Sequence, residues 1–363
     1  MRKPRIGILT WRQGLRFAEP AYFRRLLATG EHLGATVYLF SPQDVSFASK
    51  EVKGYIRTAK GWEARQFGWP DVVIDRFRYT PTQAFKDYVA FRKKQSFLYA
   101  NNRLANKWKV HQVLWRDPAM HRWLPETVNY SRAGLKEMIG RHPQLYIKPS
   151  NGTGGRGILC MKRTKQGYRL LGRDTKRTKV ESVQPNWQLT AGKVARWVNN
   201  GLFVIQQGLN LDLIPGRSID MRLLIQKNEH GEWSITGQGM RIGGAKSATA
   251  NLHGGGQAMR VRPFLERHFS AGQTDYIMQE CAHLAKQTAN TIEQHFGRMM
   301  ELGLDIGVDV KGNVWLIEVN PKPGREIFRE LGAMDTYKQA IQRPLQYALH
   351  LAATREKEKV RAI

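Results

Sequence analysis

The chain has 363 residues, 41% of them hydrophobic, which is typical of a globular protein with two or three structural units. It carries 58 Lys and Arg against 30 Asp and Glu, and the formal net charge of +28 favours anionic partners such as nucleotides or acidic polymers. Two widely spaced cysteines argue against a disulfide framework, and no stretch approaches the about 20 apolar residues of a membrane span. The N-terminal apolar run is too short for a signal peptide, so we expect a cytoplasmic protein without a membrane span.

The first part of the chain predicts a small α/β domain over residues 1–98. Residues 5–9 and 36–40 have the apolar, β-branched composition of strands, and a helical stretch near 19–33 separates them. A third strand is predicted at 71–75, after a Gly-Trp-Pro turn. Alternation of strands and helices in this order favours a parallel sheet.

The middle of the chain contains a glycine cluster between two predicted strands. A helix is predicted over 103–116, and strands over Leu145–Lys148 and Ile158–Lys162 flank the cluster. The cluster contains a GxGxxG pattern, but a dinucleotide-binding fold or a P-loop would need a helix after it. The pattern therefore indicates a hairpin loop whose backbone amides close over phosphates beside Lys148, with a flexible surface hairpin as the alternative.

A basic stretch follows, with eight Lys or Arg and one acid between Lys162 and Lys179. We expect a solvated loop, with a docking patch for a polyanion as the alternative. No zinc-finger, helix-turn-helix or aromatic RNA-binding signature accompanies the stretch, so no specific nucleic-acid partner is predicted.

Further strands are predicted at 202–206 and 220–226, and a long helix at 276–296. Two last strands, at 302–310 and 314–319, are predicted to form a hairpin with a two-residue turn at either Lys311–Gly312 or Gly312–Asn313. The charged residues 354–363 are expected to fray.

The predicted hairpin has one acidic face, because side chains alternate along a strand. With either turn, the polar face carries three acids and an amide, namely Asp305, Asp309, Glu318 and Asn320. The apolar face carries Leu304, Ile306, Val308, Ile317 and Val319. Clustered oxygen ligands suit Mg²⁺, although an ordinary half-exposed hairpin with acids in water is the alternative.

The glycine cluster and the acidic hairpin, in this order, resemble the ATP-grasp superfamily, and within it the YheC/YheD-like group associated with the spore coat of endospore formers. The resemblance implies an α+β fold in which two lobes, at 99–202 and 203–350, clamp ATP after the α/β domain. Residues 351–363 would form a charged tail.

The segment Glu318-Val319-Asn320-Pro321 is similar to the Glu-x-Asn motif of that superfamily, and Asp305 matches its first metal aspartate. The resemblance implies that Asp305, Glu318 and Asn320 bind two Mg²⁺ ions, with Mn²⁺ as an alternative and Asp309 less essential.

The same comparison implies ATP-binding residues. Lys107 and Lys148 would contact phosphates, and the hinge strand at Gln206 would face the adenine, with Gln207 standing where many relatives have glutamate. The full implied set is Lys107, Lys148, Ser150, Gly152, Gly154, Gly155, Gly157, Gln206, Gln207, Gly208, Asp220 and Asn251.

Two further segments are similar to ribosomal-protein glutamate ligases. Asp220-Met221-Arg222 matches their Asp-x-Arg motif, and the segment around Asn251 matches their Asn-Leu-His-x-Gly-Gly motif. The resemblance implies that Arg222 and Arg241 are catalytic, close to the transferred phosphoryl group or the acceptor. Thr249 stands where those ligases have an arginine, so the resemblance does not specify the acceptor.

Together these features predict an ATP-dependent carboxylate–amine ligase that forms an acyl phosphate from an unknown acceptor and amine. An acidic peptide, an acidic polymer or a spore coat protein could be the partner of the basic surface. The alternatives are a non-catalytic, coat-associated structural protein and an ATP-grasp kinase.

Overall fold

The computed structural model describes residues 2–79, 82–94, 96–104, 106–150, 156–176, 178–244 and 256–361. Within these residues the chain forms three large sheets and one small two-stranded ribbon. None of the helices in this described part is long and apolar enough to cross a membrane.

The first sheet belongs to an α/β layer at the start of the chain. Its strands run in the order β5-β6-β4-β1-β8, with β7 paired to β6, and β1 lies parallel to both β4 and β8. This confirms the predicted strand–helix–strand alternation. The elements are β1 (Arg5–Leu9), β2 (Arg12–Gln13), β3 (Arg16–Phe17), α1 (Pro20–His32), β4 (Thr36–Phe40), a 3₁₀ turn (Pro42–Asp44), β5 (Val45–Ser46), β6 (Glu51–Thr58), β7 (Gly61–Gly68), β8 (Val72–Asp75) and α2 (Gln83–Lys93).

The second sheet is antiparallel and has the order β13-β12-β11-β10-β14-β9. Two helices, α4 and α5, cover one face, where Leu135, Ile147 and Val194 belong to one buried cluster. The elements are α3 (Lys107–Trp115), a 3₁₀ helix (Pro118–Trp123), β9 (Thr127–Asn129), α4 (Arg132–Arg141), β10 (Gln144–Pro149), β11 (Ile158–Thr164), β12 (Gly167–Arg173), β13 (Lys179–Gln184), α5 (Trp187–Val198) and β14 (Phe203–Gln207).

The basic stretch between Lys162 and Lys179 is mostly strand, so the expectation of a solvated loop is wrong there. Leu170 is buried in the core of the second sheet, while its neighbour Arg169 projects outward and pairs with Glu181 at 2.5 Å. Charged residues on the outer face of these strands made the alternation of buried and exposed side chains hard to recognise in the sequence.

The third sheet has the order β17-β16-β15-β18-β19, and the long helix α7 packs on it through Ile277, Leu284 and Ile292. The elements are β15 (Ile219–Lys227), β16 (Trp233–Ile242), β17 (Gln257–Met259), α6 (Val261–Leu265), α7 (Ala271–Phe296), β18 (Glu301–Val308), β19 (Val314–Asn320), α8 (Glu326–Glu330) and α9 (Met334–Arg361). The domain boundaries at 98, 202 and 350 stay predictions.

Two helices extend beyond the predicted limits. Helix α7 begins earlier, because the Ser270 hydroxyl accepts a hydrogen bond from the Gln273 backbone N–H and the Gln273 side-chain oxygen accepts one from the Ser270 backbone N–H. Helix α9 continues to Arg361, so the end that we expected to fray is helical up to that residue. Tyr337 and Leu345 of α9 pack against Leu26 of α1, which joins the end of the chain to the first sheet.

A buried ionic cluster connects the first and third sheets. Arg76, which directly follows β8, lies 2.9 Å from both Glu19 and Glu301. Arg325 contacts the other oxygen of Glu301 and donates to the Pro323 carbonyl at 3.0 Å. Because Arg76, Glu301 and Arg325 are almost fully buried, the segment after β19 is held firmly against the first sheet.

Candidate active site

Strands β18 and β19 carry the predicted acidic face. Asp305 pairs with Glu318 across the two strands, and Asn320 pairs with Gly303. Facing residues of an antiparallel pair project from the same side, so both carboxylates and the amide lie together. Asn320 Nδ2 is 3.5 Å from Asp305 Oδ2.

The turn of this hairpin is longer than we predicted. Residues 309–313 connect the strands, in place of a two-residue turn within 311–313. The register also shifts by one residue beside Asp305, which is a β-bulge. As a result Leu316 enters the core in place of Ile317, and Ile317 lines the cleft.

Asp309 does not join the acidic face, so that prediction is wrong. Its Oδ1 accepts hydrogen bonds from the backbone N–H groups of Lys311 and Asn313, both at 2.9 Å. Its Oδ2 accepts from the Trp315 indole at 3.1 Å and from the Asn313 amide at 2.9 Å. The carboxylate is fully used in closing the turn.

Two arginines contact the acidic face from β15 and β16. Arg222 Nε donates to Asp305 Oδ1 at 2.7 Å, and Arg241 Nη2 lies 3.0 Å from Asp305 Oδ2. Arg241 also makes two hydrogen bonds to Asp220, at 2.6 and 2.7 Å. Burial alone would raise the pKa of Asp305, but the two guanidiniums hold it below its ordinary value. Burial raises the pKa of Asp220, although Arg241 opposes the shift.

Two lysines approach the same face from the side of the second sheet. Lys107 Nζ lies 3.5 Å from Glu318 Oε1, and Lys148 Nζ donates to Gln206 Oε1 at 2.5 Å. Burial lowers the pKa of Lys148 to about 8, and the positive charge of Lys107 adds to the effect. The backbone N–H of Lys107 donates to the Ser150 carbonyl at 2.9 Å, which fixes the start of α3 against β10.

The predicted hinge lies at the end of β14. Gln207 Oε1 accepts a hydrogen bond from the Glu126 backbone at 3.2 Å, and the Gly208 N–H donates to the Gln144 carbonyl at 2.8 Å. Gln206, Gln207 and Gly208 all line the same cavity. The hinge is therefore tied to the strands on both sides of it.

The remaining predicted site residues belong to the glycine-rich segment or lie outside the described residues. Ser150 is buried directly after β10. Gly157 has a φ of +70°, which favours glycine, and its carbonyl accepts a hydrogen bond from Trp197 Nε1 at 3.0 Å. The predicted residues outside the described part of the chain are Gly152, Gly154, Gly155 and Asn251.

Two cavities meet at the acidic face. The hinge-side cavity, of about 410 Å³, is lined by Lys148, Gln207 and Asp220 among others. The aromatic-side cavity, of about 460 Å³, is lined by Phe85 and Arg103 among others. Three residues line both cavities, namely Arg241, Asp305 and Glu318. Groups bound in the two cavities would therefore meet beside these charged side chains.

A family profile described as YheC/D like ATP-grasp matches residues 96–351. The chain belongs to the YheC/D-like ATP-grasp family. A curated relative, the endospore coat-associated protein YheD of Bacillus subtilis (strain 168), is 27% identical over 340 residues, which cover 91% of this chain and 74% of the relative. The resemblance stated from the sequence motifs is thereby confirmed.

Solved structures support the ATP-grasp fold. The D-cycloserine synthetase DcsG has a TM-score of 0.57 at 14% identity, with 96% of this chain and 99% of that chain covered. D-alanyl-alanine synthetase A of Vibrio cholerae O1 biovar eltor str. N16961 has a TM-score of 0.53 at 12% identity, with 95% and 99% covered. At such identities the likeness concerns the fold alone, and it confirms the predicted α+β class with an α/β domain in front.

The acidic face of this ATP-grasp chain has donor chemistry that fits Mg²⁺. Asp305 and Glu318 provide carboxylate oxygens and Asn320 an amide oxygen, which are the hard ligands that Mg²⁺ prefers. In the part of the chain that the structure describes, no group of three or more His, Cys, Asp or Glu could hold a metal ion. Water and phosphate oxygens would therefore have to complete the coordination, as is usual for Mg²⁺ with nucleotides.

Three residues near the site were missed from the sequence. Ile317 reaches the cleft only because of the bulge. Lys322 Nζ lies 2.7 Å from Asp75 Oδ1, and burial lowers the pKa of Lys322 to about 8. Arg103 lines the aromatic-side cavity just before α3. Only Lys322 had a sequence signal, since it directly follows the ATP-grasp motif that ends at Pro321.

Proposed function

We propose that this chain is an ATP- and Mg²⁺-dependent carboxylate–amine ligase. One observation carries the proposal: Lys148 from the second sheet and Arg222 and Arg241 from the third converge on the face formed by Asp305 and Glu318. Fixed cations around a pair of metal-binding carboxylates suit the transfer of a highly charged phosphoryl group. Membership of the ATP-grasp family supports ATP as the donor.

The reaction needs little acid–base chemistry from the protein. An oxygen of the acceptor carboxylate attacks the γ-phosphorus of ATP, the bond to ADP breaks, and an acyl phosphate forms. The amine nitrogen then attacks the acyl carbon, phosphate leaves, and an amide remains once the nitrogen loses a proton. Positioning and charge neutralisation would supply most of the rate.

The residues around the two cavities have distinct proposed roles. Lys107 and Lys148 hold ATP phosphates, and Arg222 and Arg241 stabilise charge on the transferred group. Asp305, Glu318 and Asn320 would hold Mg²⁺, which neutralises and orients phosphate oxygens when it is bound. The other nucleotide contacts keep the assignments made from the sequence, at Ser150, Gly152, Gly154, Gly155, Gly157, Gln206, Gln207, Gly208, Asp220 and Asn251.

Transfer of an isotope label tests the proposed chemistry. Carboxylates labelled with ¹⁸O are supplied with MgATP and a panel of amines, and the inorganic phosphate is analysed by mass spectrometry. A ligase moves one ¹⁸O atom per turnover into inorganic phosphate, and the release depends on the amine. A kinase leaves a phosphorylated product that persists with or without the amine. Absence of both nucleotide binding and ADP release in folded protein would refute the proposal.

A second candidate function is structural. It is favoured by the name of the relative YheD, endospore coat-associated, and by the net charge of +28, which suits acidic peptides, polymers or coat proteins as partners. We would then expect the protein at the spore coat. Coat assembly in a spore-forming host that carries only Glu318→Gln distinguishes the two candidates, since a structural role survives the loss of a metal ligand.

A further inference from the structure

The aromatic-side cavity has a wall built from ring side chains. Phe77 stacks on Tyr88 with ring centroids 4.4 Å apart, and Phe85 meets Tyr79 edge-on at 5.0 Å. Tyr79 keeps 48% of its surface exposed, and Phe85 is half-buried. The wall therefore offers flat apolar surface to a ligand, and 460 Å³ is enough room for a ring compound.

A cation without a carboxylate partner lies over this wall. The Arg103 guanidinium is 5.6 Å from the Phe85 ring centroid and 5.3 Å from that of Tyr88. It forms no ion pair with any carboxylate of the described residues, whereas Arg222 and Arg241 are already bound to Asp305. Arg103 is thus free to bind an anionic group.

The same wall is continuous with the candidate phosphate site. Tyr79, Phe85 and Arg103 also line a cavity of about 480 Å³ that includes Lys107 and Lys148. A carboxylate bound at Arg103 would therefore face the two lysines that we assign to ATP phosphates.

Helix α8 places two carboxylates on the other side of the aromatic-side cavity. Both Glu326 and Glu330 are exposed, and Glu326 forms an ion pair with Arg329 at 2.8 Å, whereas Glu330 has no ion-pair partner among the described residues. A second anionic group beside Glu330 would be repelled, which disfavours dicarboxylates.

We infer, on the basis of the proposed function, that the acceptor is a monocarboxylate that carries an aromatic ring. Arg103 binds and orients the carboxylate that is to be phosphorylated, while the ring stacks on Phe85 and Tyr79.

Binding to the protein saturated with Mg²⁺ and a non-hydrolysable ATP analogue tests the inference without turnover. The probes are 3-phenylpropanoate, 3-cyclohexylpropanoate and 3-phenylpropanol, measured by calorimetry. We expect 3-phenylpropanoate to bind about 2- to 10-fold more tightly than the cyclohexyl compound, because the saturated ring lacks a π face. The alcohol should bind about 10- to 100-fold more weakly than 3-phenylpropanoate, because it cannot pair with Arg103.

Matched variants test which residue is responsible for the preference for an aromatic ring and which for the preference for a carboxylate. Phe85→Leu should remove the preference for the aromatic ring, and Arg103→Gln the preference for the carboxylate, with partial recovery in Arg103→Lys. Phe47→Leu is the control, because Phe47 is a part-exposed ring of the same domain that does not line the cavity. Melting temperatures and affinity for the ATP analogue, which should be unchanged, show that each variant is folded.

The outcomes separate this inference from the proposed function. Equal binding of the phenyl and cyclohexyl compounds, unchanged preferences in the variants, or binding of none of the probes overturns the inference, even where other carboxylates stimulate ADP release. If no carboxylate stimulates ADP release, the proposed ligase activity fails, and the binding preferences still decide what this cavity recognises.

Discussion

Arg222 Nε donates a hydrogen bond to Asp305 Oδ1 at 2.7 Å, so this carboxylate of the acidic face has a cationic partner within the protein. Arg241 takes the second oxygen of the same carboxylate at 3.0 Å. Glu318, by contrast, has Lys107 at 3.5 Å as its ion-pair partner and keeps part of its side chain exposed. Because Glu318 is less constrained, it is the cleaner position for testing the metal assignment.

Replacing Glu318 with Gln should abolish turnover and spare the fold. The substitution nearly preserves size but removes the charge that would hold Mg²⁺, so we expect ADP production to fall about 100-fold or more. The free energy of unfolding without nucleotide should change by no more than about 0.5 kcal/mol, since the carboxylate is not buried in a network. ADP release and chemical denaturation, side by side, measure both effects.

Glu137→Gln serves as the matched control, because Glu137 lies on an exposed face of α4 with Arg141 as its ion-pair partner. It should leave both activity and stability unchanged. Full turnover of Glu318→Gln at saturating Mg²⁺ would show that Glu318 is not a metal ligand.

The strands around the site could be predicted because their apolar residues alternate. Leu304 and Ile306 are buried as expected, and Asp305 projects from the other side. The length of the turn could not be predicted, because it depends on how the Asp309 carboxylate binds the backbone of residues 311–313. Such a side-chain-to-backbone closure changes the turn length without changing the alternation of the strands. The bulge beside Asp305 left no signal in the sequence.

Contacts between distant parts of the chain could not be predicted from the sequence either. Lys322 meets Asp75 across 247 positions, and Arg76 meets Glu301 across 225. No local pattern specifies which buried acid a given cation will find. The lining of the aromatic-side cavity, which includes Arg103, comes from segments that lie far apart in the sequence. It could therefore be recognised only from the folded structure.

Substitutions of Asp309 should change the stability of the protein and leave nucleotide binding unchanged. Asp309→Ala removes four hydrogen bonds that close the β18–β19 turn, and we expect a loss of about 2–3 kcal/mol in the free energy of unfolding. Asp309→Asn keeps one acceptor oxygen and should lose less. Affinity for the ATP analogue should be unchanged in both. A large loss of nucleotide affinity in folded Asp309→Asn would place Asp309 back on the metal face.

Glu301 should be critical for holding the first sheet to the third. It is almost fully buried, and it accepts from Arg76 and Gln226, both at 2.9 Å, as well as from Arg325. Glu301→Gln leaves two buried guanidiniums short of negative charge, so we expect about 3–5 kcal/mol of destabilisation. Urea denaturation measures the effect, with the exposed Glu137→Gln as reference. Equal stability of the two variants would show that the Glu301 contacts do not contribute to joining the sheets.

Lys148 should make nucleotide affinity depend on pH. Burial and the nearby Lys107 lower the pKa of Lys148 to about 8, so its ammonium is mostly charged at pH 7 and mostly neutral at pH 9. An anionic phosphate binds the charged form, so affinity for the Mg²⁺-bound ATP analogue should weaken about tenfold over this range. Lys148→Arg keeps its charge and should remove most of this dependence, whereas Lys148→Met should bind weakly at every pH. Calorimetry at constant ionic strength measures the affinity of the three proteins at each pH. Protonation of the nucleotide affects all three equally, so it cancels when their pH dependences are compared. Equal slopes for wild type and Lys148→Arg would show that Lys148 does not contact the phosphates.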